Sequence, residues 1–192
     1  MKKGKVVLIG GCPRAGKTTV SVGLAKEGGY SKVSLDSLSE SLNKGFPEII
    51  IKDWTNQEEC AIKKFDFFKT FIETLINDAE IYGLNFVFDM YDFTPEYIEK
   101  LPFKEKLEVY FLGFPDISIE EIKYNIKHYA KPTDWIAEVD DDYLEIVAKR
   151  IFNFNLKLKK QCEIYSYKFI DTGVGDNRSI YLTLLYDNII VC

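Results

Sequence analysis

A glycine-rich turn near the amino terminus joins an apolar run, residues 6–9, to a segment with helical patterning, residues 17–26. Residues 11–18 read Gly-Cys-Pro-Arg-Ala-Gly-Lys-Thr, which fits the pattern G-x-x-x-x-G-K-[ST] in full. The apolar run has the length of a short buried strand, and the helical pattern starts directly after the turn. We therefore predict a strand, a tight turn and a helix as the first unit of the fold.

The residue types in this turn suit an anion. Gly11 and Gly16 reach positive φ without steric cost and let the backbone turn its N–H groups inward. These groups and the positive end of the following helix dipole form a cradle for phosphate oxygens. In such a loop Lys17 reaches the β- and γ-phosphates of a nucleotide, and the Thr18 hydroxyl binds Mg²⁺. The alternative is a glycine turn that only joins strand to helix. The predicted nucleotide-binding residues are Gly11, Cys12, Pro13, Arg14, Ala15, Gly16, Lys17, Thr18 and Thr19.

Composition narrows the class of protein. The 192 residues suit one domain, 1–192, and 46% hydrophobic with 29% charged residues is typical of a globular chain. The net charge of -5 argues against a nucleic-acid partner or an anionic membrane surface. No segment has the roughly 18 apolar residues of a membrane span. The four cysteines show no metal-binding spacing, so we expect free thiols and a cytoplasmic location.

Strand and helix patterns alternate along the whole chain. Five strands are predicted, at residues 6–9, 30–35, 84–88, 107–112 and 167–170, and residues 6–9 and 86–88 are continuous apolar runs. Helical patterns predict helices at residues 17–26, 37–43, 56–82, 117–129, 140–166 and 177–186, with a short one opening at Thr94. This alternation predicts an α/β fold whose parallel sheet is covered on both faces.

In parallel sheets ligands bind at the carboxyl ends of the strands, and two acidic residues stand there. Asp89 follows the apolar run 86–88, a pattern in which the carboxylate holds Mg²⁺; the alternative is a cap for the next turn. Asp92 is close enough to share that role. Asp36 follows the second predicted strand and could take a proton from an acceptor hydroxyl. The alternative for Asp36 is an N-cap, unless Ser37 is the cap.

Together the phosphate loop, the Ser34-x-Asp36-Ser37 segment and Asp89 resemble the P-loop small-molecule kinases of the P-loop NTPase superfamily. This group includes nucleoside, nucleotide, gluconate and shikimate kinases and antibiotic phosphotransferases. The resemblance implies a three-layer α/β/α P-loop NTPase fold with a five-stranded parallel sheet and a short helical lid. It also implies ATP and Mg²⁺ as cofactors.

By this resemblance Lys17 and Thr18 carry the phosphates and Mg²⁺, Asp36 acts on the acceptor, and Asp89 supports the metal. The segment Asp171-Thr172-Gly173 is similar to the one where such kinases hold adenine, which makes Thr172 and Gly173 candidates for cofactor binding.

Arginine is scarce: Arg14, Arg150 and Arg178 are the only three. The region that matches the kinases' lid, about residues 127–142, holds Lys127, His128 and Lys131 but no arginine. Arg14 and Arg150 are therefore the candidates for contacting the transferring phosphate; for Arg150 the alternative is a solvated or ion-paired side chain. The acidic run Glu138, Asp140, Asp141 and Asp142 is better explained by the helix dipole than by a metal.

The predicted acceptor-binding segment, residues 37–56, contains Lys44 and Lys52 but no arginine. A phosphorylated acceptor usually needs arginine forks, so a neutral hydroxyl on a nucleoside, sugar or antibiotic is favoured. Phe46, Trp54 and Trp135 lie in irregular stretches beside this cleft, where they stack on the acceptor or pack in the core.

Other functions stay open. A nucleoside monophosphate kinase is one alternative, and a nucleotide-binding regulatory NTPase without kinase activity is another. A GTPase switch is disfavoured because the tetrapeptide Asn-Lys-x-Asp does not occur, and a motor is disfavoured by the short chain.

Overall fold

The computed structural model describes residues 3–48, 57–91, 93–130 and 139–173, together with residues 183, 185–187 and 189. Helices and strands alternate in it as the sequence predicts. In chain order the elements are β1 (Val6–Gly11), α1 (Lys17–Glu27), β2 (Tyr30–Ser34), α2 (Leu35–Gly45), α3 (Gln57–Tyr82), β3 (Asn85–Asp89), α4 (Pro95–Glu99), β4 (Glu108–Gly113), α5 (Ile119–His128), α6 (Asp141–Tyr165) and β5 (Lys168–Asp171).

The five strands form one sheet in the order β2-β3-β1-β4-β5. Every pairing is parallel, which confirms the predicted α/β class and the five-stranded parallel sheet. The central strand β1 pairs with β3 on one side and with β4 on the other. The phosphate loop that follows β1 therefore lies at the middle of the sheet's carboxyl edge.

Two apolar layers cover the two faces of this sheet. Val7 and Ile9 of β1 point into a cluster with α1 and the first half of α6. Leu8 points the other way, into a cluster with Phe68 of α3 and the loops around α4. Alternate residues of β1 are therefore buried on opposite faces, and Val7, Leu8 and Ile9 are fully buried. The result is the predicted three-layer arrangement.

The start of α2 differs from the prediction. The second strand ends at Ser34, not at residue 35, and α2 begins at Leu35, two residues before the predicted start. Ser34 has an extended backbone (φ -86°, ψ 107°), and its hydroxyl accepts a hydrogen bond from Ser37 N at 3.3 Å. Ser34 is therefore the N-cap, and the alternatives that made Asp36 or Ser37 the cap are wrong. Because Leu35 is buried, the chain turns into the helix as soon as the sheet is left.

The acidic run that opens α6 is explained by that helix. The Asp140 carboxylate is the N-cap and accepts from Tyr143 N at 2.7 Å, and Asp141 and Asp142 lie in the first turn. In the described parts of the chain, no group of three or more His, Cys, Asp or Glu side chains is placed to hold a metal ion. Asp140, Asp141 and Asp142 therefore have a role in starting the helix.

Several predictions fall on residues outside the described ranges. They concern residues 131–138 of the predicted lid, most of the predicted helix 177–186, and residues 49–56 of the predicted acceptor segment. The single residues among them are Lys52, Trp54, Asp92, Lys131, Trp135, Glu138 and Arg178. Within the described ranges, no helix combines the length and apolar character that a membrane crossing needs.

Candidate active site

The loop between β1 and α1 has the backbone that its glycines predict. Gly11, Arg14 and Gly16 have positive φ angles of 125°, 65° and 93°. A Cβ atom at Gly11 would lie 2.1 Å from the Leu112 carbonyl oxygen, so only glycine fits there. Next to it, Cys12 N donates to the same Leu112 oxygen at 2.8 Å, which ties the loop to β4.

The amino terminus of α1 opens from this loop. Val20 N donates to Gly16 O at 3.1 Å, which is an ordinary helical bond within the first turn. The first N–H groups of an α-helix point toward the helix start, because no carbonyl precedes them at the required spacing. Thr18 and Thr19 are exposed here. The N–H groups at a helix start and the positive end of the helix dipole are what an anion needs.

Lys17 folds over the loop that precedes it. Its ammonium donates to Gly11 O at 3.0 Å and to Cys12 O at 2.8 Å, and the residue is only 8% exposed. The side chain therefore lies along the loop, with its charge among backbone carbonyls. In this position Lys17 holds the loop's shape and keeps a positive charge beside the amides of α1.

Asp89 lies buried at the end of β3, beside the loop. Its Oδ2 accepts from Ser21 Oγ at 2.8 Å, and Ser21 Oγ also lies 3.2 Å from Thr18 O. The ammonium of Lys32 on β2 lies 3.2 Å from Asp89 Oδ2 and 3.4 Å from Oδ1. One helical turn of α1 therefore connects Thr18 to the carboxylate that the sequence predicts as a metal ligand.

The donors at this place suit Mg²⁺. The ion binds proteins through one or two carboxylates and hydroxyls, takes further oxygens from substrate phosphates and keeps several waters. Thr18 supplies an exposed hydroxyl and Asp89 a buried carboxylate, so these residues fit the ion. Because Ser21 and Lys32 already contact Asp89, its carboxylate would reach the ion through water or after Lys32 moves.

Ser21 and Lys32 are functional candidates that the sequence reasoning missed. Lys32 stands level with Val87 in the β2–β3 pairing, and Val87 and Asp89 point to the same face of β3. The alternation of side chains along β2 therefore indicated that Lys32 points to the face of the sheet that α1 covers. Without the register between β2 and β3, that signal could not be assigned to Asp89.

Asp36 lies at the same edge of the sheet. It is exposed in the first turn of α2, two residues beyond Ser34, which stands level with Asp89. The structure therefore brings the loop, Asp89 and Asp36 to neighbouring strand ends. Phe46, which was expected to flank the acceptor, follows α2 and is exposed.

Helix α6 lies against the phosphate loop through one buried side chain. Asn155 Nδ2 donates to Cys12 Sγ at 3.0 Å and to Ile151 O at 3.1 Å, and Asn155 Oδ1 accepts from Phe114 N at 2.9 Å. Through these contacts α6 lines the loop. Arg150 directly precedes Ile151 on this helix and is exposed. Arg14 lies within the loop and is half-buried.

Burial raises the pKa of the Cys12 thiol to about 12, and the nearby Lys17 charge and the Asn155 hydrogen bond offset only part of this. The thiolate is the reactive form of cysteine, so Cys12 is a neutral packing residue at physiological pH.

The remaining candidates are held by their neighbours. Thr172 is buried after β5, where its N and Oγ1 donate to Gly113 O at 2.8 and 3.1 Å. Gly173 has a φ of 56°, and its N–H donates to Asp171 Oδ1 at 2.9 Å. Near the predicted lid, Lys127 forms an ion pair with Asp141, and the His128 ring contacts those of Tyr124 and Tyr129.

No protein-family model matches this chain, and no curated protein matches its sequence. Solved structures do match. A shikimate kinase from Bacteroides thetaiotaomicron is 15% identical, with 96% of this chain and 98% of that chain covered and a TM-score of 0.58. A gluconokinase from Sinorhizobium meliloti 1021 is 13% identical over 100% of this chain and 98% of that one, with a TM-score of 0.51.

A deoxyadenosine kinase from M. mycoides is 14% identical, with 97% of this chain and 100% of that chain covered and a TM-score of 0.51. At these identities the likeness establishes the fold. The chain has the fold of the P-loop kinases, as the sequence resemblance predicted.

Proposed function

We propose that this protein is a P-loop kinase that transfers the γ-phosphate of ATP to a hydroxyl group of a small molecule. One observation carries the proposal. A complete G-x-x-x-x-G-K-T loop opens α1 at the sheet's carboxyl edge, and Ser21, one helical turn after Thr18, donates a hydrogen bond to the buried Asp89. The shikimate kinase, gluconokinase and deoxyadenosine kinase that share the fold support the general class.

In the proposed reaction the loop amides and Lys17 bind the phosphates of ATP. Thr18 and Asp89 would hold Mg²⁺, whose charge neutralises the phosphate oxygens when the ion is bound. Arg14 and Arg150 are the arginines that would contact the transferring phosphate, and Thr172 and Gly173 are proposed to help hold the adenine. These assignments rest on the resemblance and on the placement of the residues around one sheet edge.

Asp36 is proposed to orient the acceptor and to accept its proton. The acceptor oxygen forms a bond to the γ-phosphorus as the bond between that phosphorus and the β–γ bridging oxygen breaks. The hydroxyl proton passes to the Asp36 carboxylate and then to solvent. An exposed carboxylate at the edge beside the loop is suited to this work because the acceptor can reach it from solvent.

We further propose that the acceptor carries no phosphate. The part of the acceptor segment that the structure describes, residues 37–48, offers Lys44, which is paired with Glu40 at 3.2 Å. Nucleosides, sugars and antibiotics therefore fit this side better than nucleotides. The free, buried thiols of Cys12 and Cys162 support a reducing, cytoplasmic compartment.

The scarcity of arginine favours one further candidate, a regulatory domain that binds ATP without phosphorylating a small molecule. ATP consumption distinguishes the kinase from the regulatory domain. It is measured with Mg²⁺ alone, with added pooled nucleosides, sugars and polyols, and separately with added nucleoside monophosphates. We expect turnover that depends on the neutral acceptors and stops when the metal is chelated. Turnover with the monophosphates alone would indicate a nucleotide kinase. Slow hydrolysis that no acceptor changes would indicate the regulatory domain.

A further inference from the structure

Lys32 forms an ion pair with the carboxylate that the proposed function assigns to Mg²⁺. Its ammonium lies within 3.4 Å of both oxygens of Asp89, and the two side chains are 22% and 5% exposed. Asp89 has Ser21 as its other partner. A cation of this chain therefore contacts both oxygens of the carboxylate, including the Oδ2 to which Ser21 donates.

The position of Lys32 in the sheet directs its charge toward the phosphate site. Lys32 stands level with Val87, whereas Asp89 stands level with Ser34, the last residue of β2. The long side chain therefore runs along the strand toward the carboxyl edge and ends beside Asp89. From there, Ser21 and the carbonyl of Thr18 are the next contacts toward the phosphate loop.

A bound Mg²⁺–nucleotide complex changes what this ammonium faces. The divalent cation neutralises Asp89 and repels a positive charge at the same carboxylate, while the phosphate groups bring new anionic oxygens to the same edge. Lysine carries a compact charge on a flexible four-carbon stem, and it is a common phosphate ligand. The ammonium can therefore exchange a carboxylate for a phosphate by rotating its own side chain.

We propose that Lys32 is a ligand of the nucleotide's terminal phosphate, held on Asp89 until Mg²⁺ and the nucleotide arrive. This proposal rests on the proposed function, because it needs a triphosphate in the loop. It supplies a cation on the β2 side of the site, where the described part of the acceptor segment has no arginine. Lys32 thereby adds to Lys17, whose ammonium lies against the loop carbonyls of Gly11 and Cys12.

The test compares two nucleotides that differ in the terminal phosphate. Titration calorimetry gives the dissociation constants of Mg²⁺-adenylyl imidodiphosphate, a non-hydrolysable ATP analogue, and of Mg²⁺-ADP. Lys32→Met removes the charge. Lys32→Gln also removes it but keeps a hydrogen-bond donor for Asp89, and it decides the question if the Met variant does not fold. We expect either substitution to raise the dissociation constant of the analogue about tenfold or more. The dissociation constant of ADP should rise less than about threefold.

Lys104→Met is the matched control, because Lys104 also forms a partly buried ion pair, 2.6 Å from Glu99. Lys104 precedes β4 and so lies at the opposite edge of the sheet, and both nucleotides should bind this variant as they bind the wild type. Lys32→Arg should retain most of the preference for the analogue. Equal losses for both nucleotides, or no loss for either, would overturn the role of Lys32. If the wild-type protein binds neither nucleotide, the proposed function fails first and Lys32 has no phosphate to bind.

Discussion

The carboxylate of Asp36 is exposed in the first turn of α2, where it does not cap the helix because Ser34 does. Helix capping, the simplest structural explanation that the sequence offered, therefore does not account for this carboxylate. The other single side chains at this edge divide into two groups. Lys17, Thr18 and Asp89 belong to short motifs, whereas Ser21, Lys32 and Asn155 become candidates only through contacts with distant parts of the chain.

Replacing the Asp36 carboxylate tests its role in proton transfer. We expect Asp36→Asn to lower kcat about 10²–10⁴-fold, because the amide cannot take the acceptor's proton. The dissociation constant for Mg²⁺-ATP should stay unchanged, since Asp36 acts on the acceptor. Steady-state turnover with the identified acceptor and calorimetry with the nucleotide measure the two quantities.

Glu105→Gln is the control for this substitution, because Glu105 is an exposed carboxylate that precedes β4 and so lies at the opposite edge of the sheet. It should leave kcat within about twofold of the wild type, as surface substitutions away from a site do. An Asp36→Asn variant as active as Glu105→Gln would remove Asp36 from the mechanism.

Sequence reasoning missed Lys32 and Asn155 for the same reason. Lys32 and Asp89 are 57 positions apart, and Asn155 and Cys12 are 143 positions apart. A motif records residue types at close spacing, so it identifies the loop but not the partners that strand register and helix packing bring to it. Asp89 was found because one local pattern contains it.

At the scale of elements, α6 and the phosphate loop form one connected unit. Asn155 bonds the loop at Cys12, the helix at Ile151 O and the end of β4 at Phe114 N, and it is only 1% exposed. Its amide therefore satisfies groups on three elements that meet at the carboxyl edge. A substitution of Asn155 therefore removes a direct contact with the loop that binds phosphate in the proposed function.

Substituting Asn155 tests this connection. Asn155→Leu keeps a similar volume but leaves the buried Phe114 N–H without its acceptor. We expect the free energy of unfolding to fall by about 1–3 kcal/mol, the usual penalty for such a group. Urea denaturation at equilibrium measures it, with an unchanged dependence on urea if the unfolded state is the same.

The matched variant is Asn153→Leu, because Asn153 is exposed on the same helix. Its effect should stay within about 0.5 kcal/mol. Similar changes in stability for the two variants would show that the buried hydrogen bonds of Asn155 add nothing measurable to the free energy of unfolding.

Element positions were predictable because the central strands β1, β3 and β4 contain continuous apolar runs and each long helix has a clear apolar face. The predicted strand boundaries lie within two residues of the observed ones. The start of α2 was not predictable from residue types alone, since Ser34, Asp36 and Ser37 are all good capping residues. Burial of Leu35 decides among them, and burial depends on the packed sheet.

At the scale of the whole molecule, strand order determines which residues can act together. The alternation of strands and helices predicts a parallel sheet but does not state which strands are neighbours. The observed order places β3 between β1 and β2. Asp89 therefore stands between the phosphate loop, which follows β1, and Asp36, which follows β2.

Binding of Mg²⁺-ATP in this loop is the claim on which the whole account depends, and titration calorimetry measures it directly. The wild-type protein should bind Mg²⁺-ATP at one site, and Lys17→Met should weaken binding about tenfold to a hundredfold by removing one charge-assisted hydrogen bond. Lys26→Met, on the exposed last turn of the same helix, should bind as the wild type does. Absence of binding by the wild-type protein, or equal affinity of the Lys17→Met variant, would contradict the account.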